Sequence, residues 1–450
     1  MLLTIEKLIY GGDGLARLPA QSPTNDHERG KAVFVPFVLD GERVQASLTE
    51  QKSSFARATV ESIVEPSPHR VRPGCPYFGS CGGCQYQHAS YEHQLEIKKE
   101  ILRENLRRIA KLELPCEIKV HRSPPWNYRN RARLQVRTKP EFVTGYFELA
   151  SHDVIAVEEC PISSPLINRG IAALWQSGRA GQVPEGVREV EFFANADDTH
   201  LLVELWCAAE ARRAAVREWA EELRAALPEI AGVVAFRAHQ PGERAATRQE
   251  IFLSDGEKSL TYQTQLAAYR VSAGAFFQTN RHLTDELVEI VTQDRTGDVA
   301  LDLYAGVGLF STVLAGDFHH VVSVEPSHHA AADLRYNLPA NGEAIQATTE
   351  QYLSRPEDRK GDVKGASLPL SVHKADLVVV DPPRSGLGER VARALTNMGA
   401  PRLTYVSCDP ATLARDLVPL LATGYQVEQA HLVDLFPHTH HLESVLQLVR

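Results

Sequence analysis

The run VALDLYAGVGLF, residues 299–310, decides the fold. Val299 to Leu303 is apolar except for Asp302, as expected of a strand whose sheet is covered on both faces. Gly306 and Gly308 follow at once, where a tight turn lets the backbone approach a ligand closely. A helix opens beyond them. Three more apolar runs, 321–324, 377–380 and 403–406, recur with helical segments between them. From about Arg295 the chain therefore reads as α/β with a parallel sheet.

The strand ends carry the chemistry. The strand after the glycine turn ends in Glu325, where an acid can hold ribose hydroxyls, and LVVVDPPR (377–384) places Asp381 and a rigid diproline turn at another strand end. Acids on neighbouring strand ends define the crevice in which open α/β sheets bind ligands. The turn lacks the third glycine of the dinucleotide fingerprint, so a different nucleotide-type cofactor is expected.

RLTYVSCDPAT (402–412) puts Cys408 between a buried strand and a helix start, a position expected to favour the thiolate. DLFPHTHHLES (434–444) precedes a last strand. If that strand returns antiparallel, Glu443 shares the rim with Cys408 and can act as a general base. A cysteine and a base on one cofactor rim suit a pyrimidine ring: addition at carbon 6 makes carbon 5 electron-rich enough to take a methyl group, and the base then removes its proton. Arg384 stands where an amino-group methylator would carry a stacking aromatic, which favours carbon as the acceptor.

Upstream, residues 1 to about 64 read as short strands split by turns such as Gly11–Gly14 and Asp40-Gly41, which fits a small oligonucleotide-binding barrel. Pro66, Pro68 and Pro73 then make a linker. A helix is predicted from about Tyr91 to Lys111, a mixed α+β region from 120 to 270 with a helix near 208–227, and a polar surface loop at 353–374. Cys75, Cys81 and Cys84 cluster ahead of the helix, with Cys160 remote and followed by proline. Four such thiols suit zinc or a [4Fe–4S] cluster, and three close cysteines plus one remote favour the cluster. Cys116 and Cys207 read as packing residues.

The formal net charge of −9 argues against indiscriminate coating of nucleic acid. Lys98 to Lys139 nevertheless holds thirteen Lys or Arg against four Glu. That segment suits either a phosphate-facing surface or a solvated helix face followed by a basic strand. No apolar run spans a membrane and no secretory segment is visible at the N-terminus, so a cytoplasmic location is expected.

The set GGDGLAR, CxxxxxCGGCxxQ, YRNR, FFQTN, DLYAGVGLFS, VVDPPRSGL, SCDPATLARDL and FPHTHHLES resembles the bacterial RNA uracil-5-methyltransferase family, in particular its 23S ribosomal RNA branch with an iron–sulfur cluster. The resemblance covers nearly the whole chain. It implies a multidomain protein: an OB-like TRAM barrel at 1–66, a central α+β iron–sulfur and RNA-binding domain at 67–92 and 121–268, and a Rossmann-like methyltransferase domain at 93–120 and 269–450. The helix near 93–120 is then expected to pack on the catalytic domain although the central domain follows it. By motif, Cys408 is the nucleophile and Glu443 the base. Gln278, Tyr304, Glu325 and Asp381 match S-adenosylmethionine contacts, and Cys75, Cys81, Cys84 and Cys160 match the cluster ligands. Ala305, Leu309 and His438 depart from the residues frequent at their positions, and Leu309 removes a side-chain cofactor contact.

The implied substrate is RNA, ribosomal before transfer RNA, with no membrane and no obligate protein partner. Carbon 6 of a stacked base is out of reach, so the uridine must flip out. Phe276, Phe277 and Tyr304 are candidate stacking surfaces, with Phe276 expected in the core instead. Other readings are a transfer-RNA methyltransferase, a cytosine-5 methyltransferase and a non-catalytic RNA-binding iron–sulfur protein. A binding module has no use for Cys408 and Glu443, and no residue set reads the cytosine amino group.

Overall fold

A computed structural model describes residues 1–18, 30–237, 250–354 and 375–450. Three main sheets organise them. The first is six-stranded, in the order Leu2–Thr4, Arg43–Gln51, Phe55–Glu65, Ala32–Val35, Gly14–Arg17, Lys7–Leu8. Its small core holds Leu3, Val33, Val35, Val44 and Ala56. The second has seven strands and carries the helices Pro165–Arg179 and Arg213–Ala226 on one face, over Leu134, Val190 and Val203.

The third sheet, of eight strands, positions the site. Its order is Gly342–Ile345, Phe318–Val324, Gly297–Leu303, Leu377–Val380, Arg402–Ser407, Glu443–Val449, Gln426–Val433, Ile118–His121. Neighbours run parallel except Glu443–Val449, which is antiparallel to both of its partners. Successive side chains alternate between faces, and both faces are buried. Leu301, Leu303, Val378 and Val380 enter one core, whereas Ala300, Leu377 and Val379 enter the other.

The helix Tyr91–Asn105 packs Ile97, Ile101 and Leu102 into the first of these cores, and Ile118–His121 pairs with Gln426–Val433 at the sheet edge. The helical pattern expected up to Lys111 widens at Leu106–Ala110 into a π-helical turn, and left-handed Lys111 ends it. The loop expected at 353–374 lies outside the described residues beyond Ser354.

Candidate active site

Asp302, Glu325 and Asp381 stand at three neighbouring strand ends. Tyr304 (φ 68°), Gly306 (φ 57°) and Gly308 (φ 95°) turn the chain through left-handed conformations just after the central strand. That costs little at glycine and more at tyrosine. The Glu325 carboxylate closes the turn, accepting N–H bonds from Gly306 at 3.0 Å and Ser327 at 2.7 Å. Asp302 is fully buried, takes the Ser311 hydroxyl, and is pushed up to about 7 by burial. Burial, and then the charge of Asp302, push Asp381 upward too. Asp302 was readable only as a strand residue, because its partner is the hydroxyl that opens the following helix.

Strand register brings Cys408 and Glu443 together. Ser407 pairs with Ser444 across the antiparallel ladder, so the next residue of one strand faces the preceding residue of the other. Burial, then Glu443 and Asp381, push the Cys408 thiol up to about 12, with Arg384 opposing. Burial and Asp381 also hold Glu443 well above the usual carboxylate range, again opposed by Arg384. The expectation that the helix start lowers the thiol is therefore corrected. The helix begins at Pro410, and the Asp409 carboxylate already takes its free amides, Ala411 N–H at 3.0 Å and Thr412 N–H at 2.8 Å. Arg384 is the cation that opposes both shifts.

The loop carrying Glu443 is clamped from several distant stretches. Lys98 donates to Asp434 at 2.5 Å, with both side chains fully buried, and to the Phe436 carbonyl at 2.9 Å. Gln94 accepts from His438 N–H at 2.9 Å. The amides of Gln85 and Tyr86 donate to the His438 carbonyl at 3.0 and 2.8 Å, and the Tyr128 hydroxyl donates to the Pro437 carbonyl. Tyr10, from the N-terminal sheet, donates to the Cys408 carbonyl at 3.0 Å. None of Tyr10, Gln94, Lys98 or Tyr128 carries a sequence signal that points to this loop.

Gln278 is buried in the segment 276–280, which is stitched to the same loop through Asn280, donor to the Leu435 carbonyl at 3.0 Å. Phe276, expected in the core, is instead 63% exposed. Its neighbour Phe277 takes the interior, 4.5 Å from the Tyr262 ring. Two adjacent residues of an extended segment point to opposite sides, so only one of them reaches the core. Tyr304 is half-buried against the core that holds the first helix.

Cys75, Cys81, Cys84 and Cys160 line one cavity of about 200 Å³ together with Phe78 and Tyr146. Burial pushes Cys81 up to about 11 and Cys84 up to about 12, and the neighbouring thiols add to both. Among the described residues no group of three or more His, Cys, Asp or Glu is placed to hold a metal ion. Cys207 is buried and Cys116 half-buried, both in packing positions. No helix among the described residues is long and apolar enough to cross a membrane.

An open sheet with an antiparallel return strand, acids at its strand ends and a cysteine on its rim makes a Rossmann-like ligand crevice at the carboxyl ends of the strands. Residues 90–450 match the family model for tRNA (uracil-5-)-methyltransferase, and residues 1–60 match the TRAM domain. A 23S rRNA (uracil(1939)-C(5))-methyltransferase, RlmD, of Chromohalobacter salexigens is 33% identical across 100% of this chain and 89% of its own length. An uncharacterized RNA methyltransferase of Aquifex aeolicus is 32% identical across 99% of this chain and 97% of its own. The Pyrococcus abyssi tRNA (uracil-54, C5)-methyltransferase, solved with S-adenosyl-L-homocysteine, shares the fold over all of both chains, with a TM-score of 0.73 and 24% identity. The chain belongs to the RNA (uracil-5-)-methyltransferase family and is an enzyme of that class.

Proposed function

We propose that this enzyme methylates carbon 5 of a uridine in 23S ribosomal RNA, using S-adenosylmethionine and a covalent bond from Cys408. The observation that carries the mechanism is the strand register that sets Glu443 opposite Cys408. The match to a 23S enzyme along the whole chain supports the substrate. The family description and the Pyrococcus enzyme favour transfer RNA as the second reading.

The Cys408 thiol releases its proton to solvent, with Arg384 offsetting the carboxylates of Glu443 and Asp381 beside it, and the thiolate adds to carbon 6. The addition turns the ring into an enolate whose carbon 5 is the nucleophile. S-adenosylmethionine supplies the electrophilic methyl group, and Gln278, Tyr304, Glu325 and Asp381 are the residues assigned to hold it. Once carbon 5 carries the methyl, Glu443 removes the proton from that carbon. The electrons re-form the 5,6 double bond and expel the thiolate of Cys408. Burial strengthens the affinity of Glu443 for that proton.

We assign the division of the chain at 1–66, 67–92 with 121–268, and 93–120 with 269–450 to barrel, central and catalytic domains. Cys75, Cys81, Cys84 and Cys160 are assigned to a [4Fe–4S] cluster. Four thiols around one cavity, three close in sequence and one remote and followed by proline, support this reading. Protein purified without oxygen should be brown with one cluster per chain, and a colourless zinc-loaded sample refutes the assignment.

The function is tested by incubating the enzyme and labelled S-adenosylmethionine with 23S and transfer RNA transcripts, then mapping 5-methyluridine by mass spectrometry. Label confined to 23S RNA at one uridine is expected. Label confined to transfer RNA establishes the second reading, and label on a base nitrogen overturns both.

A further inference from the structure

The second sheet has one face under helices and another that is only partly covered. Phe193, Leu202 and Trp206 on this second face pack toward the core holding Tyr262 and Phe277. Beside them a polar row crosses three adjacent strands, because Arg133 pairs with Glu191 and Glu191 with Glu204. The row opens into a groove of about 350 Å³, walled by Arg131, Trp206, Phe276 and Thr279.

The groove is chemically unfinished. Glu204 is 1% exposed, and its Oε1 forms an ion pair with Arg131 Nη2 at 3.7 Å but has no hydrogen-bond partner among the described residues. The Trp206 indole N–H and the Thr279 hydroxyl are likewise buried without a partner among the described residues. Buried polar groups are rarely left unpaired, and several around one groove point to a ligand that pairs them. Burial, and then Glu191, push the Glu204 carboxyl upward, opposed by Arg131, a backbone bond from Gly274 and Arg133. Arg133 lies over the Trp206 ring at 4.7 Å, and the exposed ring of Phe276 offers a flat surface at the rim.

A ligand that fits is flat, presents adjacent N–H donors to a carboxylate, and has an acceptor for an indole N–H or a guanidinium. Guanine has these features in N1–H, the 2-amino group and O6. Uracil offers a carboxylate one donor between two acceptors, and adenine sets a ring lone pair beside its amino group. We propose that this groove binds an unpaired guanine of the substrate RNA, distinct from the methylated uridine, with Glu204 reading its donor edge. Arg129 and Arg133 at the groove suit the adjoining phosphates. The proposal rests on RNA being the substrate and adds a determinant of which RNA is chosen.

The test is fluorescence anisotropy of the full chain with labelled oligouridine about twelve nucleotides long, alone or carrying one central guanine or adenine. The guanine RNA is expected to bind at least about tenfold more tightly than the other two. Glu204→Ala should erase that preference while leaving oligouridine affinity unchanged. Glu204→Gln keeps the shape but offers one donor and one acceptor, so it should move the preference to adenine. Equal binding of all three RNAs, or a guanine preference that survives Glu204→Ala, overturns the proposal. Methyl transfer to RNA transcripts is measured on the same preparations. Formation of 5-methyluridine without guanine preference sinks the groove alone, and guanine preference without 5-methyluridine sinks the catalytic reading alone.

Discussion

Glu443 faces Cys408 because the last strand runs antiparallel to the strand before Cys408, with Ser444 paired to Ser407. In the covalent mechanism this adjacency separates two half-reactions that variants can isolate. Cys408→Ala should abolish methyl transfer while cofactor affinity stays within about twofold. Glu443→Gln keeps the nucleophile and removes the base, so a protein–RNA adduct carrying the methyl group should survive a denaturing gel. Free RNA carrying 5-methyluridine from Glu443→Gln rules this base out.

The Lys98–Asp434 pair should contribute strongly to stability, since removing one partner strands a buried charge. Lys98→Met is expected to cost about 3 kcal/mol or more, a fall in melting temperature of roughly 3 °C or more for a chain of this length. Adding Asp434→Leu should recover most of the loss. A single variant that melts with the wild type refutes the role.

Asp302 gives stability an unusual pH slope. Its folded-state pKa of about 7 lies above the ordinary 3.8, so between these values the folded protein retains a proton that the unfolded chain releases. Stability from this group is full below about 4 and declines as pH rises to about 7, by up to about 1.4 kcal/mol per pH unit. Thermal melts of cofactor-free Asp302→Asn should therefore fall less over this window than those of wild type. Parallel curves refute the assignment.

Tyr10 tests the reach of the barrel. Its hydroxyl supports the Cys408 carbonyl, a bond worth about 1 kcal/mol. Tyr10→Phe is expected to lower kcat several-fold with KM for the cofactor unchanged. A change in RNA affinity with kcat intact would make Tyr10 an RNA contact instead.

The catalytic sheet was legible in the sequence because its strands are buried on both faces and read as unbroken apolar runs ending in Asp or Glu. The four cysteines were legible because thiols are scarce and theirs are clustered. Other features lie in contacts between residues far apart in the chain. Nothing near Lys98 in the sequence announces Asp434. The fate of the two adjacent phenylalanines turned on which one met Tyr262. Cys408 misled for a local reason: Asp409 takes the helix amides that a thiolate would use.

The clamp on residues 434–441 bears on how such an enzyme can be re-engineered. Gln85, one position after Cys84, grips the same His438 carbonyl that Tyr86 grips, and the barrel touches Cys408 through Tyr10. The segments around the catalytic core thus behave less like interchangeable cartridges than like keystones of one arch. Chimaeras that graft a foreign barrel or cysteine loop onto this core should inherit a misaligned reaction centre unless the gripping side chains travel with the graft.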